Sequence, residues 1–300
     1  GVQSPAILKI PKVTIGILTH NSEAYVQHCL NSLKAQNYDH LEIVVFDNNS
    51  SDDTRIIIEE NFPEVRLLTS EENLGFGTAH NRIMHKTEND MYGCFNVDMI
   101  FEPNFVSEMV KTLEKKPIYG SVGGKIKRWD FQTFSKNPQG MREMGKTNFI
   151  DSFGLRILKS HRFEDIGQGE VDYGQYDNEQ EVFGVSGAAV LYRRKALDDI
   201  AFINEEEDRE YFDESMFMYK EDIDLAYRLQ WAGWRCLYTP HSIAYHDRSV
   251  SAQGKGVVAL IRNRQRKSKT VNQISYLNHQ ILLRKNFASD FSPKVRGATW

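Results

Sequence analysis

Asp98 stands where an apolar run, Tyr92-Gly-Cys-Phe-Asn96-Val-Asp98, gives way to a polar turn. A carboxylate at the carboxyl end of a buried strand, just ahead of a helix, occupies the place where open α/β sheets hold their ligands. Asn96 lies two residues earlier, and in an extended segment the two side chains point the same way. Such a pair offers hard oxygen ligands to one divalent cation; the plainer alternative is a strand-end Asp that caps the next helix. A second acid, Asp222, lies in Lys220-Glu-Asp-Ile-Asp-Leu-Ala-Tyr-Arg228. On a helix it shares a face with Leu225, Ala226 and Leu229, whereas Asp224 points away and forms a surface ion pair with Arg228. A carboxylate on the inward-packing face is placed as a general base must be, rigid and partly desolvated. The competing explanation is an acid favoured by the helix dipole. His246, after Ile243-Ala-Tyr, is a candidate metal ligand through its neutral imidazole, or else a structural histidine.

Two polar clusters follow the first two predicted strands: Thr19-His-Asn21-Ser22 and Asp47-Asn-Asn49-Ser-Ser-Asp-Asp53. Each taken singly is ordinary turn chemistry. Both fall at strand carboxyl ends, so both line the crevice that Asp98 faces, where Asp47 could accept hydrogen bonds from a base N–H. Gly75-Phe-Gly77 precedes a helix and lets backbone N–H groups approach an anion, a weak signal by itself.

The elements that position these residues are legible as alternating strand and helix. Strands are predicted over 13–19, a β-branched run between polar boundaries, and over the apolar runs 41–46, 65–69, 92–98 and 118–126. Ser22 is a cap for a helix whose stripe is Val26, Cys29, Leu30 and Leu33. Residues 51–54 supply a second cap, 78–86 a third helix, and Pro103 opens a fourth. This order implies a mostly parallel sheet covered by helices. Residues 128–181 mix polar, glycine and aromatic residues without a long period and read as an insertion of loops and short strands. Beyond it lie a buried strand over 182–192, a helix over 219–231, a strand over 235–238 and a helical tail over 256–287. The expected organisation is an N-terminal extension (1–11), one domain (12–251, with halves 12–127 and 182–251 flanking the insertion) and a basic helical segment (252–300).

With 300 residues and a net charge of −4, the chain has no overall basic excess, which argues against a nucleic-acid partner. Cys29, Cys94 and Cys236 are odd in number and far apart, so they suit a reducing compartment better than a disulfide framework. The first residues lack the basic flank and apolar core of a secretory leader, and no apolar run reaches the ~20 residues that span a bilayer. A cytoplasmic protein is expected. The block 262–269 is either a peripheral contact with anionic headgroups at the inner face of the membrane or a solvated helix face.

In order, Val13 to Asn21, Val44-Val-Phe-Asp-Asn-Asn-Ser-Ser-Asp52, Asn73-Leu-Gly-Phe-Gly-Thr-Ala-His-Asn81, Asn96-Val-Asp98, Gly184-Val-Ser-Gly-Ala188 and Phe212 to Asp222 resemble glycosyltransferase family 2 with the GT-A fold. The nearest flavour is the rhamnosyltransferase-like branch that builds bacterial surface polysaccharides. The resemblance implies an inverting, metal-dependent transferase using dTDP-rhamnose or a UDP-sugar, with a glycan or lipid-linked glycan as acceptor. By position, Thr19, Asn21, Asp47 and Asn49 hold the nucleoside, and Asn73, Gly75 and Asn81 border the ribose and diphosphate. Asp98 binds Mg²⁺ or Mn²⁺ with help from His246 and Asn96. Asp222 is the catalytic base, and Gly187, Met218 and Glu221 shape the acceptor pocket. Many relatives carry Asp where this chain has Asn96, and a neutral amide attracts a cation less. Two rivals stand beside this reading. A nicotinamide oxidoreductase needs a glycine fingerprint where Thr19-His-Asn-Ser22 stands. A catalytically silent nucleotide-sugar- or glycan-binding domain needs only the fold.

Overall fold

The central strands are buried on both faces, their side chains alternating between two cores. Val13, Ile15 and Ile17 of the first strand enter one core with Phe95, while Tyr92 and Cys94 of the fourth enter another on the opposite face. A sheet apolar on both faces must be covered on both. The computed structural model describes residues 9–136, 143, 145–158, 162–186, 188–216, 220–248, 277, 278, 280–282 and 285.

In chain order the elements are β1 (Val13–Thr19), α1 (Val26–Lys34), β2 (Leu41–Asn48), α2 (Thr54–Asn61), β3 (Arg66–Ser70), α3 (Phe76–His85), β4 (Met91–Asn96), β5 (Met99–Phe101), α4 (Phe105–Lys115) and β6 (Tyr119–Trp129). The predicted insertion holds α5 (Phe131–Ser135), β7 (Lys146–Ser152), β8 (Leu155–Ile157), β9 (Phe163–Asp165) and the start of β10 (Gln180–Val182). Then come β11 (Ala189–Arg193), α6 (Arg194–Ile200), β12 (Phe202–Ile203), β13 (Arg209–Glu210), α7 (Glu221–Trp231) and β14 (Arg235–His246). The main sheet runs β10-β14-β6-β11-β4-β1-β2-β3, with β5 on β14 and β7 on β6. β1, β2, β3 and β4 are mutually parallel, and so are β6 and β14. β11 lies antiparallel between β4 and β6. The α1 stripe is buried as predicted.

Several boundaries differ from the sequence reading. Residues 182–192 are two strands, not one: β10 pairs with β14 at the sheet edge, and β11 is inserted between β4 and β6. Gly184 and its neighbours make the crossing. A Cβ on Gly184 would stand 2.6 Å from that of Ala226, so α7 packs directly on this loop. β4 stops at Asn96 and the chain bends at Val97 and Asp98, so strand parity does not carry from Asn96 to Asp98. Ser22 places its Oγ on the His20 N–H instead of capping α1, which begins four residues later. Helix α4 starts two residues past Pro103. The short helix α6 was not foreseen, and β14 is 12 residues long and carries His246 at its end. The basic block at 262–269 lies outside the described residues. Farther along the predicted tail, Leu282 is buried in a small core with Phe183, Ile223 and Tyr227.

Candidate active site

The carboxyl ends of β1, β2 and β4 bring the predicted polar clusters together. Asp47 is fully buried. Its carboxylate accepts from Thr19 Oγ1 (2.8 Å), Ser50 Oγ (2.5 Å), Ser50 N (3.0 Å) and Arg55 Nε (2.6 Å). Burial alone would raise its pKa, but these donors outweigh it and hold the carboxyl below its ordinary value. Four donors fill the acceptor capacity of a carboxylate. Asp47 therefore braces the β2 loop against α2, and a base could reach it only by displacing one donor. Asn21 and Asn49 both sit in the left-handed region, at φ 49° and 63°, a conformation asparagine tolerates better than most residues. Asn21 Oδ1 accepts from Ser51 N at 2.8 Å, and Asn49 is exposed.

The next loop is pinned by a residue that sequence reasoning missed. Asn48 donates to Gly75 O (3.1 Å) and accepts from Leu74 N (3.0 Å), while Asn73 Oδ1 accepts from Gly75 N (3.0 Å). Gly75, at φ 79° and ψ −176°, then turns the chain into α3 through a conformation open essentially to glycine alone. Asn81 lies further along α3. It is buried, donates to Phe212 O and Glu214 Oε1 (both 2.9 Å), and accepts from Tyr211 N and Phe212 N. It clamps α3 to the 211–214 segment, and these bonds occupy both its amide hydrogens and its oxygen.

Asp98 and His246 meet through the backbone ladder. His246 pairs with Met99 across β5 and β14, and Asp247 N donates to Asp98 O at 3.0 Å. The side chains follow: His246 Nε2 is 3.3 Å from Asp98 Oδ1. On the other side of the ring, His246 Nδ1 donates to Asp151 Oδ2 at 2.9 Å. Arg248 Nε lies 3.2 Å from Asp151 Oδ1, and its NH1 donates to Asp165 at 3.0 Å. Tyr25 donates to Asp247 at 2.6 Å. Burial would lower the His246 pKa, but the two aspartates overcome it and push it up to about 9. Burial, with the charge of Asp98 adding to it, raises Asp247 despite the Tyr25 hydrogen bond.

This donor set fits a divalent cation. It combines a partly exposed carboxylate with an imidazole that could ligate once a bound ion displaced its Nε2 proton, the other nitrogen being held by a second carboxylate, in surroundings rich in negative charge. Among the described residues no group of three or more His, Cys, Asp or Glu side chains is placed to hold a metal. The described residues offer two donors here, Asp98 and His246, and an ion held by them would complete its shell with phosphate oxygens and water. Asn96 closes β4, its N–H donating to Ala188 O at 2.8 Å.

At the start of α7, Lys220 takes a left-handed conformation (φ 78°) and the first turn carries Glu221, Asp222 and Asp224. Asp222 is half-buried, and its charge is felt by the buried hydroxyl of Tyr192 on β11, whose pKa burial chiefly raises. Glu221 is buried. Asp224 corrects the sequence reading, because its pair with Arg228 (2.9 Å) is not at the surface: the side chains are 0% and 10% exposed. The helix is buried nearly all round, so no outer face remains for it. Gly187 and Met218 lie outside the described residues. A cavity of about 610 Å³ lined by Lys9, Lys12, His40 and Asp90 is at the amino ends of the strands, remote from these groups.

A glycosyl transferase family 2 model matches residues 14–201. The chain belongs to this family, and it is a glycosyltransferase of the GT-A fold. It is 25% identical over 252 residues to the N-acetylglucosaminyl-diphospho-decaprenol L-rhamnosyltransferase of Mycobacterium tuberculosis, covering 78% of this chain and 75% of that protein. It is 32% identical over 108 residues to chondroitin synthase of Escherichia coli, covering 35% of this chain and 16% of that one. Among solved structures, GalNAc-T7 with UDP, GalNAc and Mn²⁺ aligns with a TM-score of 0.61 at 12% identity, covering 80% of this chain and 44% of that one. The mannosyltransferase from Pyrobaculum calidifontis with GDP-Man and Mn²⁺ aligns with a TM-score of 0.55 at 17% identity, covering 96% of this chain and 79% of that one. Those two share the fold; the chain spans less than half the length of the GalNAc-T7 chain. Among the described residues no helix is long and apolar enough to cross a membrane.

Proposed function

We propose that the chain transfers a sugar from a nucleoside diphosphate donor, dTDP-rhamnose or a UDP-sugar, to a hydroxyl of a glycan or lipid-linked glycan acceptor. The transfer inverts the anomeric carbon and serves surface polysaccharide synthesis. The reading rests above all on the meeting of Asp98 and His246, 3.3 Å apart at the carboxyl end of β4. These two residues would hold Mg²⁺ or Mn²⁺, with Asn96 beside them. When bound, such an ion supplies Lewis-acid stabilisation of the charge on the departing diphosphate.

The rest belongs to the chain's own side chains. Thr19, Asn21, Asp47 and Asn49 shape the nucleoside end of the crevice. The loop of Asn73 and Gly75, pinned by Asn48, borders the diphosphate. Asp222 removes the proton of the attacking hydroxyl as a general base, so the acceptor oxygen bonds to the anomeric carbon while the bond to the diphosphate breaks. A single displacement leaves no covalent enzyme intermediate. Two chains of contact support a shared pocket: Ala226 of α7 packs on Gly184, and Ala188 of the same loop bonds Asn96. Glu221 would lie on the acceptor side of it, and Gly187 and Met218 are assigned there from the sequence resemblance alone. In this reading residues 12–127 bind the donor, 182–251 bind the acceptor, and 262–269 make any peripheral membrane contact.

A thermal-shift screen of nucleotide sugars with and without Mn²⁺ tests the proposal. The right donor at a hundred times its dissociation constant should stabilise the fold by about 2.7 kcal/mol. If no nucleoside diphosphate sugar shifts the melting temperature in either condition, the proposal fails.

A further inference from the structure

Asp151 comes from β7, in the stretch of the chain with the least sequence pattern, yet it meets the site across a separation of 95 residues. Its side chain is 0% exposed. Oδ2 accepts from His246 Nδ1 at 2.9 Å, and Oδ1 makes a charge contact with Arg248 Nε at 3.2 Å. Arg248 in turn reaches Asp165 of β9 at 3.0 Å. An imidazole has two ring nitrogens. Fixing a proton on one of them sets the ring plane and turns the other toward whatever lies opposite. Here the opposite group is Asp98.

We infer that Asp151 is a positioning residue: by accepting the Nδ1 proton it turns His246 Nε2 toward Asp98 and presents the pair as one cation site. Arg248 and Asp165 hold the Asp151 carboxylate in place, so the insertion builds the outer support of the site. This rests on the proposed cation role of Asp98 and His246. Three observations favour it over a merely structural ion pair. The carboxylate is buried against the ring nitrogen that faces away from Asp98. The ring has a carboxylate on each side. Asp98, the more exposed of the two at 32%, is the one open to a ligand.

The test compares the parent with Asp151→Ala, Asp151→Asn and His246→Ala, using Mn²⁺ alone as the probe and paramagnetic resonance to count free ion. Proton NMR reads the His246 Nδ1–H resonance without any metal. The expected result for Asp151→Ala is loss of the downfield Nδ1–H signal and a 10- to 100-fold weaker Mn²⁺ affinity. Asp151→Asn, which keeps an acceptor oxygen, should retain the signal and most of the affinity. Persistence of the signal in Asp151→Ala, or unchanged Mn²⁺ affinity in that variant, overturns the positioning role. Equal Mn²⁺ binding by the parent and His246→Ala overturns the cation site itself, a separate failure that leaves the resonance result standing.

Discussion

Asp222 and Asp224 stand two residues apart on α7 and should fail in opposite ways when replaced. The Asp224 side chain is fully buried, with Oδ2 2.9 Å from Arg228 Nε and Oδ1 3.0 Å from Lys285 Nζ. The Arg228 guanidinium also donates to Ile200 O and Tyr211 O and lies over the ring of Phe202. In Asp224→Ala a buried cation loses its counter-charge, a defect of about 3–5 kcal/mol. At roughly 2–4 °C per kcal/mol for a domain of this size, the melting temperature should fall on the order of 6–20 °C. Asp222 is half-buried, and Asp222→Asn should leave stability within about 1 kcal/mol. As a general base its loss should lower turnover by roughly 100-fold or more, with donor affinity kept. Urea melts and the rate of nucleoside diphosphate release, both measured where each variant is folded, separate the two effects. An Asp224→Ala protein that melts with the parent would refute the burial argument. Near-parent rates in Asp222→Asn would refute the base assignment.

Other outcomes follow from the same geometry. Burial lowers the His80 imidazole to about 3 against 6.5 for the free side chain. Between those values the unfolded chain binds a proton that the folded chain refuses. Stability should therefore fall as pH drops below about 6.5, by roughly 1.4 kcal/mol per unit. His80→Asn should flatten that slope in urea melts from pH 7 to 5, and identical slopes would contradict it. Asn81→Leu strips partners from the 211–214 backbone and should lose about 2–5 kcal/mol; a large loss of donor affinity with stability kept would instead show Asn81 acting on the donor. Gly184→Val crowds Ala226 and should destabilise by about 1–3 kcal/mol, lowering turnover more than donor binding. A steady-state comparison in which only donor binding changed would count against that link to α7.

The first half of the fold, residues 12–127, was legible because its strands are short, mostly apolar runs with polar ends, and the candidate site gathers at those ends. The half over 182–251 was harder for a physical reason. One apolar run, 182–192, serves two strands on either side of β14 and β6, and alternation cannot signal the break. Asn81 was recoverable: Gly77, His80, Asn81 and Met84 mark the buried face of α3 at helical spacing. Asp224 was not, since a helix buried nearly all round has no polar side to read. Asp151 was hidden more deeply still, because its partner lies 95 residues away and the insertion has no period to place it.

The bond from Asp247 N to Asp98 O, with the pairing of His246 and Met99 beside it, fixes where the two side chains proposed to hold a cation emerge without using those side chains at all. Main-chain pairing therefore works as a chassis with two interchangeable fittings. A descendant could exchange the group at either position, change its ion preference or dispense with the ion, and still inherit an intact sheet.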